Sequence, residues 1–166
     1  AFVQAVDGTS AVILDTRKTT PGLRDLEKYA VRCGGGTNHR RDLASMAMIK
    51  DNHREALARA ELSLAEGVAA IRERTPGVAV EVEIDALHQL EAALEAKPEW
   101  ILLDNMSNAG MAEAVRRTRG RAKLEASGGV NLKTVRAIAE TGVDAISVGA
   151  LTHSAGSVDI SLDLEF

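Results

Sequence analysis

The chain has 166 residues, 45% apolar and 27% charged, which suits one globular domain long enough to bury a real core. Aromatic residues make up only 2% and the formal net charge is −4, so base stacking has little to work with and nucleic-acid binding is disfavoured. Cys33 is the only cysteine, which excludes an intrachain disulfide or a cysteine-based zinc site and suits a reducing cytoplasm; no apolar run nears the ~18 residues of a membrane span, and no signal-peptide pattern is visible.

The first residues, Ala1 to Val6, read like the tail of a helix. With no initiator Met, the sequence is expected to be a fragment of a longer protein. Ala11–Asp15 is a short apolar strand. Leu23–Cys33 has helical spacing, with Leu23, Leu26, Ala30 and Cys33 on one apolar stripe, and Gly34 is its stop signal. Cys33 is therefore expected in the core, and Arg24, Lys28 and Arg32 on a solvated face. Met46–Lys50 is the second strand, and Asn52–Glu73 one long helix ended by Thr75-Pro76-Gly77. Val78–Ile84 is the third strand and Ala86–Ala96 the next helix, with His88 at its surface. Trp100–Asp104 is the fourth strand, followed by a helix near Ala109–Thr118. Ala122–Ser127 is the fifth strand; Asn131 is placed as the N-cap of a helix to Thr141, closed by Gly142. Ala145–Gly149 is the sixth strand. Val158–Phe166 alternates like a strand leaving the main body, so residues 1–157 form the domain and 158–166 an extension.

Repeated strand–helix units of this length predict an α/β fold with a parallel sheet. The chemically distinctive residues choose its form. Arg17 and Lys18 follow the first strand, Lys50 ends the second, and Glu83 lies near the end of the third. Asp104 ends the fourth, Ser127-Gly128-Gly129 ends the fifth, and Gly149 to His153 follow the sixth. Carboxyl ends of strands form the active face of an α/β barrel, whereas a doubly wound sheet concentrates its ligand at one switch point. Spreading over every strand favours a parallel (β/α) barrel, open or incomplete, with about six strands.

Period-two alternation sets the faces. Val80, Val82 and Ile84 share one face of the third strand, so Glu81 and Glu83 point into the barrel. Asp104 falls with Leu102, and Lys123, Glu125 and Ser127 fall together. Charges on an inward face need partners or a ligand. Glu81, two residues deeper than Glu83, is expected to pair with Lys123.

Residues 17–54 hold nine Lys/Arg against four Asp/Glu, leaving 11 against 20 elsewhere: a basic island in an acidic chain. Arg17, Lys18, His39, Arg40 and Lys50 lie there beside the Gly34-Gly35-Gly36 run, a set suited to a small, strongly anionic ligand. Glu83 and Asp104 form an acidic pair able to hold Mg²⁺ or accept sugar hydroxyls; the alternative is ion pairing with Arg17 or Lys50. Ser127, Gly128, Gly129, Gly149 and His153 belong to two turns after the last two strands, a recurring barrel location for phosphate. His39, His53 and His153 lack zinc spacing, and no serine sits in a nucleophile elbow. The parts suit group transfer by electrostatics.

In this order the motifs Asp15-Thr16-Arg17-Lys18-Thr19-Thr20-Pro21-Gly22, Gly34-Gly35-Gly36, Asn38-His39-Arg40, Lys50-Asp51-Asn52-His53, Glu81-Val82-Glu83, Leu102-Leu103-Asp104-Asn105, Glu125-Ala126-Ser127-Gly128-Gly129 and Gly149-Ala150-Leu151-Thr152-His153 resemble the quinolinate phosphoribosyltransferase family over essentially the whole chain. The resemblance implies transfer of phosphoribose from phosphoribosyl pyrophosphate to quinolinate, with loss of CO₂ and pyrophosphate, giving nicotinate mononucleotide. It places Arg17, Lys18, His39, Arg40 and Lys50 on the quinolinate and pyrophosphate side. Glu83 and Asp104 meet the ribose and Mg²⁺, with Lys18, Glu83 and Asp104 as the catalytic set. Ser127, Gly128, Gly129, Gly149 and His153 take the 5′-phosphate. It also implies a cytoplasmic homodimer or higher homo-oligomer and an N-terminal sandwich domain that these 166 residues do not include. Asp42, Ser45 and Arg54 depart from the family pattern and are read as loop variation. Two other readings compete: a molybdenum-transport-associated phosphoribosyltransferase-like protein, disfavoured by Lys50-Asp51-Asn52-His53, and a catalytically silent barrel that only binds phosphate.

Overall fold

A computed structural model describes residues 1–164. Six parallel strands are formed: β1 (Val12–Leu14), β2 (Ala47–Ile49), β3 (Val80–Ile84), β4 (Trp100–Asp104), β5 (Lys123–Ser127) and β6 (Ala145–Ser147). The helices are α1 (Phe2–Ala5), α2 (Arg24–Cys33), α3 (Asp51–Arg59), α4 (Leu64–Arg74), α5 (Leu90–Glu95), α6 (Asn108–Thr118), α7 (Val135–Ala139) and α8 (Ala150–His153). Each of these six strands lies within two residues of its predicted bounds. None of the helices is long and apolar enough to cross a membrane.

Strand order across the sheet is β1-β6-β5-β4-β3-β2. Around a ring this is sequence order with one pairing missing, between β1 and β2, so the fold is an open parallel barrel. At the seam the segment after α2 runs beside β1: the Thr37 N–H donates to Ile13 O at 2.8 Å, and the Asp15 N–H to Thr37 O at 3.2 Å. Gly36 allows that approach, since a Cβ there would sit 2.8 Å from Val31 Cγ1.

The two faces of the sheet divide as alternation predicts. Ile13, Ile49, Val80, Val82, Ile84, Ile101, Leu103, Leu124, Ala126 and Ile146 join the helices in one hydrophobic core. Fully burying each large member contributes roughly 1.5–3 kcal/mol. The opposite parity carries Glu81, Glu83, Leu102, Asp104, Glu125, Ser127 and Ser147, so the barrel interior is polar.

Five expectations need correction. The long helix is two, α3 and α4, broken at Ala60–Ser63: Glu61 is left-handed (φ 57°), and Ser63 caps α4, reciprocated by Glu66. The stripe of α2 is turned outward: Leu26 is 67% and Tyr29 59% exposed, Leu23, Ala30 and Cys33 are exposed too, and Val31 is what packs inward. Lys28 is not solvated but buried against Asp15. The helix predicted from Asn131 starts only at Val135; Asn131 instead accepts the Lys133 N–H at 2.9 Å and opens a turn. Residues 158–164 form no strand and are exposed, making no backbone hydrogen bond to a strand edge among the described residues; the part of that expectation at 165–166 lies outside the described residues.

Candidate functional site

The carboxyl ends of all six strands open into one pocket of about 630 Å³. Every site residue expected from the sequence lines it. Arg17 and Lys18 come from the loop after β1, His39 and Arg40 from the segment crossing the seam, and Lys50 from the end of β2. Glu83 and Asp104 come from the ends of β3 and β4, Ser127, Gly128 and Gly129 from the end of β5, and Gly149 and His153 from the turn after β6.

The cationic side is braced from outside the pocket. Arg24 Nη2 donates to Arg17 O at 3.3 Å, and Arg24 Nε to Thr19 Oγ1 at 3.1 Å, tying the Arg17–Thr20 loop to α2. Glu27 accepts the Thr20 N–H at 3.1 Å. Beneath them Asp15, fully buried, is ion-paired with Lys28 and accepts the His39 N–H at 2.9 Å. Lys28 Nζ also donates to His39 O at 3.1 Å, so one buried pair grips both backbone polar groups of His39. The Arg40 guanidinium donates to Met46 O at 3.0 Å. Burial and, next, the nearby Arg17 push its pKa down. Among the described residues neither guanidinium is in a salt bridge, and two held close favour an anion between them.

On the acidic side Glu83 is ion-paired with Lys50. This is the alternative weighed for that pair. Asp104 has no cationic partner of that kind among the described residues; its carboxylate accepts the Asn105 side-chain amide at 2.8 Å. Beside Asp104 lies the β5 turn. Gly128 has φ +100°, and a Cβ there would fall 2.1 Å from Asn105 Oδ1. Only glycine permits this turn, whose Gly128 and Gly129 N–H groups donate no hydrogen bond within the described residues.

Glu81 departs from expectation. Lys123 lies exposed at the far end of β5, over the Trp100 ring at 5.2 Å. Glu81 turns instead to His39: Nε2 is 3.4 Å from Glu81 Oε2 and 3.0 Å from Glu125 Oε2. Glu125 in turn accepts the Ser147 hydroxyl. On its other side the ring accepts the Arg40 backbone N–H at Nδ1, at 2.7 Å, so its proton sits on Nε2 toward the two carboxylates. Burial pushes the Glu81 pKa up. The three residues come from three distant segments, so no local motif announces them; the clue was two inward-facing glutamates on separate strands. Asp15 and Lys28 were missed for the same reason.

The pocket is thus cationic at the seam, carboxylate-lined in the middle and glycine-rich at the far side. Comparison with known proteins identifies a family along almost the whole chain. The family model described as quinolinate phosphoribosyl transferase, C-terminal domain, matches residues 1–163. A nicotinate-nucleotide pyrophosphorylase (carboxylating) of Mycobacterium leprae is 51% identical over 99% of the chain and 57% of its own length. A probable enzyme of that name from Bacillus subtilis is 45% identical over 98% of the chain and 55% of its own length. The crystal structure of nicotinate-nucleotide pyrophosphorylase from Ehrlichia chaffeensis superposes with a TM-score of 0.90 at 43% identity, over 99% of the chain and 58% of that protein. The chain spans somewhat over half the length of these relatives.

Proposed function

The chain belongs to the quinolinate phosphoribosyl transferase C-terminal-domain family, and from that premise we propose that its protein transfers phosphoribose from phosphoribosyl pyrophosphate to the ring nitrogen of quinolinate, releasing pyrophosphate and CO₂ and giving nicotinate mononucleotide. The supporting observation is the ordered pocket: paired cations, then carboxylates, then a glycine turn with free N–H groups.

Arg17, Arg40 and Lys50 are assigned to the two carboxylates of the acceptor, with guanidinium forks suited to planar anions, and His39 lines the pocket beside them and receives the Arg40 backbone amide. Lys18 is assigned to the departing pyrophosphate as a point charge. The Ser127-Gly128-Gly129 turn and the Gly149–His153 segment receive the 5′-phosphate. As the ribosyl C1–O bond breaks, C1 becomes cation-like; Glu83 and Asp104 stabilise that charge while the acceptor nitrogen closes on it. The pyridinium so formed withdraws electrons from the ring, and the adjacent carboxylate leaves as CO₂; the electron pair of the broken C–C bond stays on the ring carbon, which takes a proton from water.

Mg²⁺ takes one or two carboxylates together with phosphate oxygens and waters, and Glu83 with Asp104 is such a donor set. Because Glu83 is held by Lys50, the ion is proposed to arrive with the pyrophosphate rather than to reside in the free pocket. When bound, it neutralises charge on the leaving group. The reading carries with it cytoplasmic work on soluble substrates and a homodimer or higher homo-oligomer, to which the exposed Leu23–Cys33 face of α2 lends support.

The test is turnover by the full-length protein: release of labelled CO₂ from carboxyl-labelled quinolinate, dependent on phosphoribosyl pyrophosphate. Absence of both turnover and quinolinate binding overturns the assignment and favours the phosphate-only reading.

A further inference from the structure

Glu81 touches none of the pocket, yet it is fully buried and neither carboxylate oxygen has a hydrogen-bond partner by ordinary geometry. His39 Nε2 lies 3.4 Å from Glu81 Oε2 and 3.0 Å from Glu125 Oε2. A buried carboxylate left so is costly unless it serves a neighbour.

Two uses fit this spacing. One imidazole and two carboxylates, with ligand atoms all within 4.8 Å of one another, are a donor set for a transition-metal ion. The other nitrogen of the ring decides against it. The Arg40 backbone N–H donates to His39 Nδ1 at 2.7 Å. That hydrogen bond requires a lone pair on Nδ1, so the ring proton sits on Nε2, and Nε2 has no lone pair left for a cation.

We infer that Glu81 and Glu125 are positioning residues: they hold the His39 ring by its Nε2 proton, so that Nδ1 receives the Arg40 amide and the Arg40 side chain is fixed toward the pocket. The remaining contacts agree. The His39 N–H and C=O are held by Asp15 and Lys28, so the ring is the only part of the residue still to be oriented. Ser147 fixes Glu125 from β6. Both carboxylates also attract Arg40 and offset its repulsion by Arg17. Glu81 thus acts through His39 on a cation that meets the ligand, without meeting the ligand itself. The consequence for ligands rests on the proposed function; the ring geometry does not.

The first arm of the test needs no ligand. In full-length protein labelled with ¹⁵N-histidine, the His39 ring is expected to show a protonated Nε2 and a bare Nδ1 at pH 7–8. A protonated Nδ1, or a Zn²⁺ titration that strips the Nε2 proton, overturns the inference whatever the enzyme does. The second arm reads the two Michaelis constants. Glu81→Leu is expected to raise that for quinolinate roughly tenfold, the scale of one charged hydrogen bond lost, and to leave that for phosphoribosyl pyrophosphate unchanged. Glu81→Gln keeps an acceptor oxygen for Nε2–H and is expected to recover most of the loss. Equal effects on both constants, or a lowered melting temperature with unaltered constants, reduce Glu81 to a structural residue.

Discussion

Lys50 and Glu83, from the ends of neighbouring strands β2 and β3, are ion-paired along one wall of the pocket, so a cation assigned to the acceptor is tied to a carboxylate assigned to the ribosyl centre. On the proposed function an incoming dianion competes with Glu83 for Lys50, which couples binding to chemistry through one contact.

Glu83→Gln is expected to separate them. Removing the charge frees Lys50, and quinolinate affinity rises a few-fold. The same change removes stabilisation of the cation-like C1, and kcat falls roughly a hundred- to thousandfold. Calorimetry and single-turnover kinetics on one variant check both signs. Weaker binding together with normal chemistry contradicts the assignment.

Asp15→Ala is expected to be among the most damaging substitutions. It strands the buried Lys28 ammonium and releases the His39 N–H. Breaking one side of a buried ion pair costs about 3–5 kcal/mol. Urea unfolding measures the loss. Adding Lys28→Met, which removes the stranded charge, recovers part of it. A loss under 1 kcal/mol, by the same scale, would mean that water reaches Lys28.

The strand ends were legible because they obey local rules. Alternation in Val80-Glu81-Val82-Glu83-Ile84 places both glutamates inward whatever surrounds them, and the structure agrees. Partner choice is not local. Nothing near Glu81 in sequence distinguishes His39 from Lys123 as its neighbour, and helical spacing in Leu23–Cys33 cannot say which face the rest of the molecule covers. There Lys28 wins the inward position because Asp15 awaits it. The break between α3 and α4 was readable in principle: Ser63 to Glu66 is a capping box inside an otherwise continuous helical pattern. Gly67 repeats the signal, since a Cβ there would lie 2.7 Å from Leu57 Cδ1.

Asp104→Asn isolates the remaining carboxylate. Asp104 accepts the Asn105 side-chain amide, an exposed contact, and its backbone pairs with Ser127 in the β4–β5 ladder. An asparagine keeps its shape and an acceptor oxygen, so the melting temperature should stay within a degree or two, the scale of a surface substitution. Quinolinate affinity should also survive, because the cations assigned to it stand on β1, β2 and the seam segment. What the substitution removes is negative charge beside the ribosyl centre and one ligand for Mg²⁺. The loss should fall on kcat, roughly a hundred- to thousandfold, and the Mg²⁺ concentration needed for half-maximal rate should rise. Single-turnover rates at several Mg²⁺ concentrations, with melting temperature on the same sample, decide the matter. A destabilised variant with a near-normal chemical step would assign Asp104 to the architecture of the β4 end and leave Glu83 alone at the reacting centre.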